Sequence, residues 1–222
     1  MSRHPSPATD YIAALYATQD ALLDDIDKML KSQNIAMHVS ANEGKLLQVL
    51  AAMHGAQTIV EIGTLAGYST IWMARALTGD GHIYTLNKDA RHIAMAKESF
   101  ARFEAPGRIT MLEGDARDSL EKLAQDSEFK KRPLDMVFID ADKISYPAYL
   151  DWAEQHVRRG GLIVADNTFL FGSVWQESPP EGIAPTTWKG MRSFNERLAD
   201  QGRYRSVMIP TTEGLSVAIK LF

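Results

Sequence analysis

The chain contains no cysteine. That excludes disulfides, iron–sulfur clusters and thiolate zinc sites, and the expectation is a reducing, cytoplasmic setting. No uninterrupted apolar run reaches membrane-spanning length, so no membrane partner is expected. Basic charge is not in excess: 24 Lys and Arg stand against 28 Asp and Glu, a net charge of -4 that offers no footprint for nucleic acid. The six histidines are scattered, with no H-x-x-x-H pair or other zinc spacing. The dinucleotide fingerprint G-x-G-x-x-G is missing too. The opening "MSRHPSPATD" has no apolar h-region and reads as a frayed tail or arm, not a secretory signal.

What is present is a chain of 222 residues, 45% hydrophobic, long enough for one good core and short for two domains. The expectation is a single domain over 1–222, with a helical N-terminal arm in 1–55 and a core of alternating strands and helices in 56–222. From Thr58 onward, strand and helix patterns alternate. "TIVEIG" (Thr58–Gly63), "HIYTLN" (His82–Asn87), "RITMLEG" (Arg108–Gly114), "LDMVFID" (Leu134–Asp140) and "GLIVADN" (Gly161–Asn167) lack polar alternation. Such strands are buried on both faces, which describes a parallel sheet with helices on both sides. Helices are expected in "STIWMARALTGD", stopped at Gly79, in "DARHIAMAKESFARF", capped by Asp89, and around Thr187–Ala199. "YRSVMIP" and "LSVAIKLF" are joined by the short "TTEG", so the last strand should run antiparallel. Ahead of the first strand, Tyr11, Leu15, Leu22, Ile26 and Met29 fall near helical spacing as one pattern. A second, "SANEGKLLQVLAAMHG", carries a capping box at Ser40 and Glu43 and ends at Gly55.

In an open α/β sheet, ligands bind beyond the carboxyl ends of the strands. The first strand ends in "EIGTLAGYS", where Gly63 and Gly67 allow close backbone approach and the next helix could face a negative group. The alternative is a tight strand–helix turn that needs glycine and nothing more. The second strand ends at Asn87, where nucleotide-type folds often place an acid for ribose hydroxyls; Asn87 offers one carbonyl oxygen. The third ends in "EGDA", whose Asp115 could accept from adenine's exocyclic amine or could cap the following helix. The fourth ends at Asp140 and the fifth at Asp166–Asn167. Neighbouring strands lie about 4.8 Å apart, so these oxygens could share one cation. The set suits Mg²⁺ first, or Ca²⁺ or Mn²⁺, better than zinc. The alternative is a pair of capping aspartates that never meet.

"VEIGTLAGYST", "GDARDSL", "DMVFIDADKISYPAYL" and "GGLIVADNTFLFG" resemble the cation-dependent O-methyltransferases, which include catechol and caffeoyl-coenzyme A enzymes. The resemblance runs from about Met37 to the C-terminus. It implies a class I, Rossmann-like methyltransferase fold: a seven-stranded, mostly parallel sheet with a reversed last strand and extra N-terminal helices. It implies S-adenosylmethionine (SAM) as methyl donor and a divalent metal held by Asp140, Asp166 and Asn167. Lys143 would stand near the acceptor hydroxyl as general base or electrostatic partner. Glu61, Gly63, Tyr68 and Ser69 would contact the methionine part of SAM, and Asp115 and Ala116 would lie near adenine. Asp140 would border the cofactor as well, and "MHVS" would close over it through Met37 and Val39. One departure is Asn87, where the family usually has an acid. The acceptor implied is a small aromatic vicinal diol, and a homodimer is the family expectation. A non-catalytic cofactor-binding protein and an NAD-type dehydrogenase are the alternatives.

Several other residues have two readings. Trp175, Trp188, Phe169 and Phe171, in and beside the irregular Thr168–Pro185 segment, could wall an acceptor or belong to core or subunit contacts. Tyr146 and Tyr149 read as packing. Asp142 reads as capping or solvent-facing, with a spare ligand as the alternative. Glu213, in the last turn, could line the acceptor pocket.

Overall fold

The computed structural model describes residues 6–105 and 108–222, so Met1–Pro5 of the expected arm lie outside the described residues. Seven strands are described, three before Ser119 and four after it, with the last strand reversed. The chain divides into two compact units, one ending at Ser119 and one spanning Leu120–Phe222.

The first unit opens with α1 (Pro7–Tyr16), α2 (Ala21–Ser32) and α3 (Ala41–His54). The single early helical pattern is two helices. Ser6 caps α1 with Pro7 at its first position, α1 stops at Ala17, and the Asp20 side chain caps α2 by accepting from Leu23 N–H. Two strong N-caps in one apolar stripe divide it, because periodicity reports a face and not its breaks. α3 starts and ends as expected: Ser40 and Glu43 form the capping box, and Gly55 is left-handed. Strands β1 (Thr58–Ile62), β2 (His82–Asn87) and β3 (Ile109–Glu113) run parallel, with Ile62 beside Leu86 and Asn87 beside Glu113. Helices α4 (Tyr68–Ala74), α5 (Ala90–Ala101) and α6 (Ala116–Gln125) follow these strands. α4 closes before Gly79. Arg108 takes the Leu77 and Gly79 carbonyls at 2.7 and 2.8 Å, which satisfies them without further helical turns.

In the second unit come α7 (Ser127–Lys130), β4 (Leu134–Ile139), a 3₁₀ turn at Lys143–Ser145, α8 (Tyr146–His156), β5 (Val157–Ala165), α9 (Pro185–Leu198), β6 (Tyr204–Ile209) and β7 (Leu215–Lys220). β4 and β5 are parallel, while β7 is antiparallel to both β5 and β6. β5 begins earlier than its apolar run. Its pairing with β4 jumps from Leu134–Val157 to Met136–Leu162, and Gly160 and Gly161 sit in the irregularity. A Cβ on Gly161 would lie 2.6 Å from Val157 Cγ1 and 2.9 Å from the Asp135 carbonyl. The glycine pair at the start of the expected strand is therefore a strand bulge. Met136, Val137, Phe138 and Ile139 of β4 are fully buried, as are Ile163, Val164 and Ala165 of β5.

Candidate active site

The first unit carries the glycine turn after β1. Glu61, at 0% exposure, is the buried acid of an otherwise apolar strand. Its carboxylate accepts from the Ser69 hydroxyl at 2.5 Å, from the Thr85 hydroxyl at 2.6 Å and from the Thr70 hydroxyl. Thr64 joins the same group through Thr85 at 2.6 Å. A buried carboxylate is tolerable when several donors surround it. These bonds lace the turn between Gly63 and Ser69 across the ends of β1 and β2. Gly63 and Gly67 adopt φ of 108° and 83°. A Cβ on Gly67 would lie 2.4 Å from the Phe100 ring, so both the conformation and the space require glycine. Thr70 and Thr85 are missed by sequence reasoning; the available signal is a hydroxyl within each apolar run.

Tyr68 begins α4, buried, and its hydroxyl donates to Gln19 Oε1. Burial pushes its phenol pKa up to about 12, with Asp27 and Asp24 adding to the effect. His38 stacks edge-on against it at 5.2 Å. Both line a cavity of about 700 Å³ with Ala13, Ala17, Asp27 and Ser40. In the segment that carries His38, Val39 is buried at 2% and Met37 is 62% exposed. Asn87 Oδ1 accepts from the Asp89 N–H at 3.1 Å, and Asp89 caps α5 through His92 N–H at 2.9 Å. Asp115 accepts from the Arg117 N–H at 3.0 Å, at the start of α6 beside Ala116. The capping readings of Asp89 and Asp115 are therefore realised.

The second unit carries the acids. Ile139 pairs with Ala165, and the Asp166 N–H donates to the Ile139 carbonyl at 3.0 Å. Asp140 and Asp166 thus end neighbouring strands on one edge of the sheet. Asp166 is fully buried, and its Oδ1 accepts from the Asn167 N–H at 2.7 Å. Asn167 is left-handed at φ 56°. Lys143 Nζ donates to Asp140 Oδ1 at 3.1 Å and to Tyr146 Oη at 2.8 Å. The Tyr146 hydroxyl donates in turn to the Asp166 carbonyl at 2.8 Å. Burial, with Asp140 and Asp166 next in weight, pushes the Tyr146 phenol well above its ordinary pKa, so it stays protonated. Tyr146, read as packing, is packed and is also the polar link between Lys143 and the end of β5. Asp142 accepts from the Tyr149 hydroxyl at 2.7 Å.

Among the described residues, no three His, Cys, Asp or Glu side chains are grouped to hold a metal ion. The set at this edge has two carboxylates, and its third member is an amide. Its chemistry fits an oxygen-preferring cation that keeps water or substrate oxygens in its remaining positions. Of the aromatic residues, Trp188 belongs to the core, its indole N–H donating to the Ser173 carbonyl at 2.9 Å. Trp175 is 64% exposed and meets Phe169 edge-on at 5.2 Å.

The model of the O-methyltransferase family matches residues 14–221. The chain belongs to the O-methyltransferase family. It is 39% identical over 215 residues to a catechol O-methyltransferase of Niastella koreensis, covering 94% of each chain. Two solved O-methyltransferases share the fold. One, from Bacillus cereus in complex with SAH, is 31% identical with a TM-score of 0.85, over 97% of this chain and 98% of that one. The other, TomG from Streptomyces achromogenes, involved in tomaymycin synthesis and solved in complex with SAM, is 32% identical with a TM-score of 0.85, over 96% and 95%. Family membership sets the dehydrogenase alternative aside.

Proposed function

We propose that this chain transfers the methyl group of SAM to one hydroxyl of a small aromatic vicinal diol, with a divalent cation at Asp140, Asp166 and Asn167. The observation that carries the reading is the β4–β5 register, which ends two paired strands in Asp140 and Asp166, with Lys143 bonded to Asp140, in a member of this family. The catechol O-methyltransferase relative supports the acceptor class, and the SAH- and SAM-bound neighbours support the donor.

SAM supplies an electrophilic methyl carbon: the acceptor oxygen forms the new O–C bond, the C–S bond breaks, and S-adenosylhomocysteine leaves. A divalent cation, when bound, supplies positive charge that favours the ionised hydroxyl, since a phenol with pKa about 10 is mostly protonated at neutral pH. Glu61, Gly63, Tyr68 and Ser69 hold the methionine part of SAM in this reading, Met37 and Val39 close over the cofactor, and Glu61 also keeps the turn in shape through Ser69. Asn87 faces the ribose and Asp115 and Ala116 the adenine; Asp140 borders the donor as well. Lys143 takes the hydroxyl proton at Nζ when its amine is neutral. Tyr146, donating to the Asp166 carbonyl, presents its oxygen to Lys143 and holds that amine beside Asp140. Positioned proton transfer of this kind contributes roughly 10²–10⁴-fold. In the same reading a second copy of the chain covers the exposed Tyr11, Leu15 and Tyr16 of α1.

The test is methylation of a simple catechol by SAM with Mg²⁺. Turnover should vanish with EDTA and fall by at least about 10²-fold in Asp140→Asn and Asp166→Asn. An undiminished rate in EDTA would remove the metal from the mechanism, and a full rate in Lys143→Ala would remove the base. No turnover of any diol would leave the non-catalytic alternative.

A further inference from the structure

The segment after Asn167 is held in an unusual backbone state. Asn167, Leu170 and Phe171 all have positive φ, at 56°, 47° and 56°, and none is glycine. Left-handed conformations of such residues persist only where the surroundings over-determine them. Asn tolerates the region better than most, but Leu and Phe do not.

Thr168 is the fixed point of this stretch. It is fully buried, and each of its polar groups has a partner. Its N–H and its hydroxyl both donate to the Gly214 carbonyl at 3.0 Å. The hydroxyl accepts from Ser216 Oγ at 3.0 Å, and the Thr168 carbonyl accepts from Asn195 Nδ2 at 2.8 Å. These partners come from α9, β7 and the turn that precedes β7. The next residue continues the clamp, with Phe169 N–H donating to the Glu213 carbonyl at 2.9 Å. Gly214 cannot be replaced there: its φ is 76°, and a Cβ would lie 2.6 Å from the Phe169 ring. Valine matches threonine in shape but lacks the hydroxyl, so Thr168→Val removes the hydroxyl's bonds to Gly214 and Ser216 and leaves the rest of the side chain in place.

We infer that Thr168, through Asn195 and Ser216, is a positioning residue that fixes Asn167 in the left-handed conformation presenting its amide oxygen to the cation. The inference rests on the metal reading proposed above. Thr168 sits one residue beyond the amide and touches no substrate itself. Partners that orient a ligand in this way typically change metal affinity by about 10–100-fold when removed.

The experiment measures Mn²⁺ binding to the full chain by electron paramagnetic resonance of the free ion, without acceptor, and SAM binding by calorimetry. Thr168→Val should weaken Mn²⁺ by at least about tenfold while SAM affinity is kept, and Thr168→Ser, which restores the hydroxyl, should bind Mn²⁺ within about threefold of wild type. A cooperatively unfolding Thr168→Val that binds Mn²⁺ like wild type overturns the inference. Should that variant fail to fold, Asn195→Ala carries the same expectation, and unchanged Mn²⁺ affinity there overturns it equally. A wild-type chain that binds no Mn²⁺ sinks the metal reading and this inference together, whereas normal wild-type binding with unaffected variants sinks the inference alone.

Discussion

At the scale of single residues, the two ends of the candidate chemistry differ in how they are built. Glu61 is surrounded by short hydroxyl donors, and Asp166 accepts from the backbone beside it. Asn87 is the residue with the most to gain. Its one carbonyl oxygen already accepts from the Asp89 N–H, so this local turn bond and ribose binding draw on the same atom. An aspartate would keep the bond from the Asp89 N–H with one oxygen and offer the other to a hydroxyl. A hydrogen bond to a charged group is worth ~1.5–3 kcal/mol against ~1 for a neutral one. Asn87→Asp should therefore tighten SAM binding by severalfold to about tenfold. Calorimetric titration checks it, and unchanged or weaker affinity would contradict the assigned role of Asn87.

At the scale of elements, fit outweighs propensity. Gly44 lies in the first half of α3, where alanine would ordinarily favour the helix by roughly 0.5–1 kcal/mol. Here a Cβ would meet the Trp72 ring of α4 at 2.3 Å. Trp72 is 2% exposed and has little room to move. Gly44→Ala should thus destabilise the protein, by about 1–3 kcal/mol, the usual cost of overpacking. Urea unfolding gives the sign directly: a stabilised variant would mean that α3 and α4 can separate at no cost. The same logic explains the helical pattern that divides at Asp20 and the glycine pair that becomes a bulge in β5. Local composition marks where a chain can bend, and packing decides which form the bend takes.

At the scale of the whole molecule, α8, α9, β6 and β7 converge on one acid. Glu154 accepts from the Tyr204 hydroxyl at 2.5 Å, from Arg203 at 2.9 Å and from Arg197 at 3.0 Å. Lys220, at 6% exposure, donates to the Val157 carbonyl nearby at 2.7 Å. Burial alone would raise the Glu154 pKa, but the Tyr204 hydroxyl and the two guanidiniums outweigh it and hold it below the ordinary 4.5. A carboxyl group with a depressed folded-state pKa stabilises the fold above its unfolded value and loses that contribution as pH falls through the folded one. Stability should therefore decline as pH drops below 4.5. Glu154→Gln should be less stable at neutral pH and show a shallower acid decline. Thermal unfolding across a pH series checks this, and acid limbs of equal steepness in both proteins would show that Glu154 plays no part. No described helix is long and apolar enough to cross a membrane.

Much of this protein was legible in its sequence because the information was local. Apolar runs without alternation marked the buried strands, short connections marked the reversed last strand, and Ser40, Glu43 and Gly55 marked both ends of α3. Asp140, Asp166 and Asn167 stood out because two successive apolar strands end in oxygen-bearing side chains on what a parallel sheet makes the same edge. The tertiary structure alone decided the rest, because it depends on which segments meet across long stretches of chain. Only the β4–β5 register could show that Asp140 and Asp166 are neighbours. Only the fold could make the packed Tyr146 the link between Lys143 and Asp166, close Thr70 and Thr85 over Glu61, or bring Asn195 and Ser216 to Thr168. A hydrogen bond between residues dozens of positions apart leaves no periodic trace, since its partners are set by the path of the backbone and not by the residues on either side.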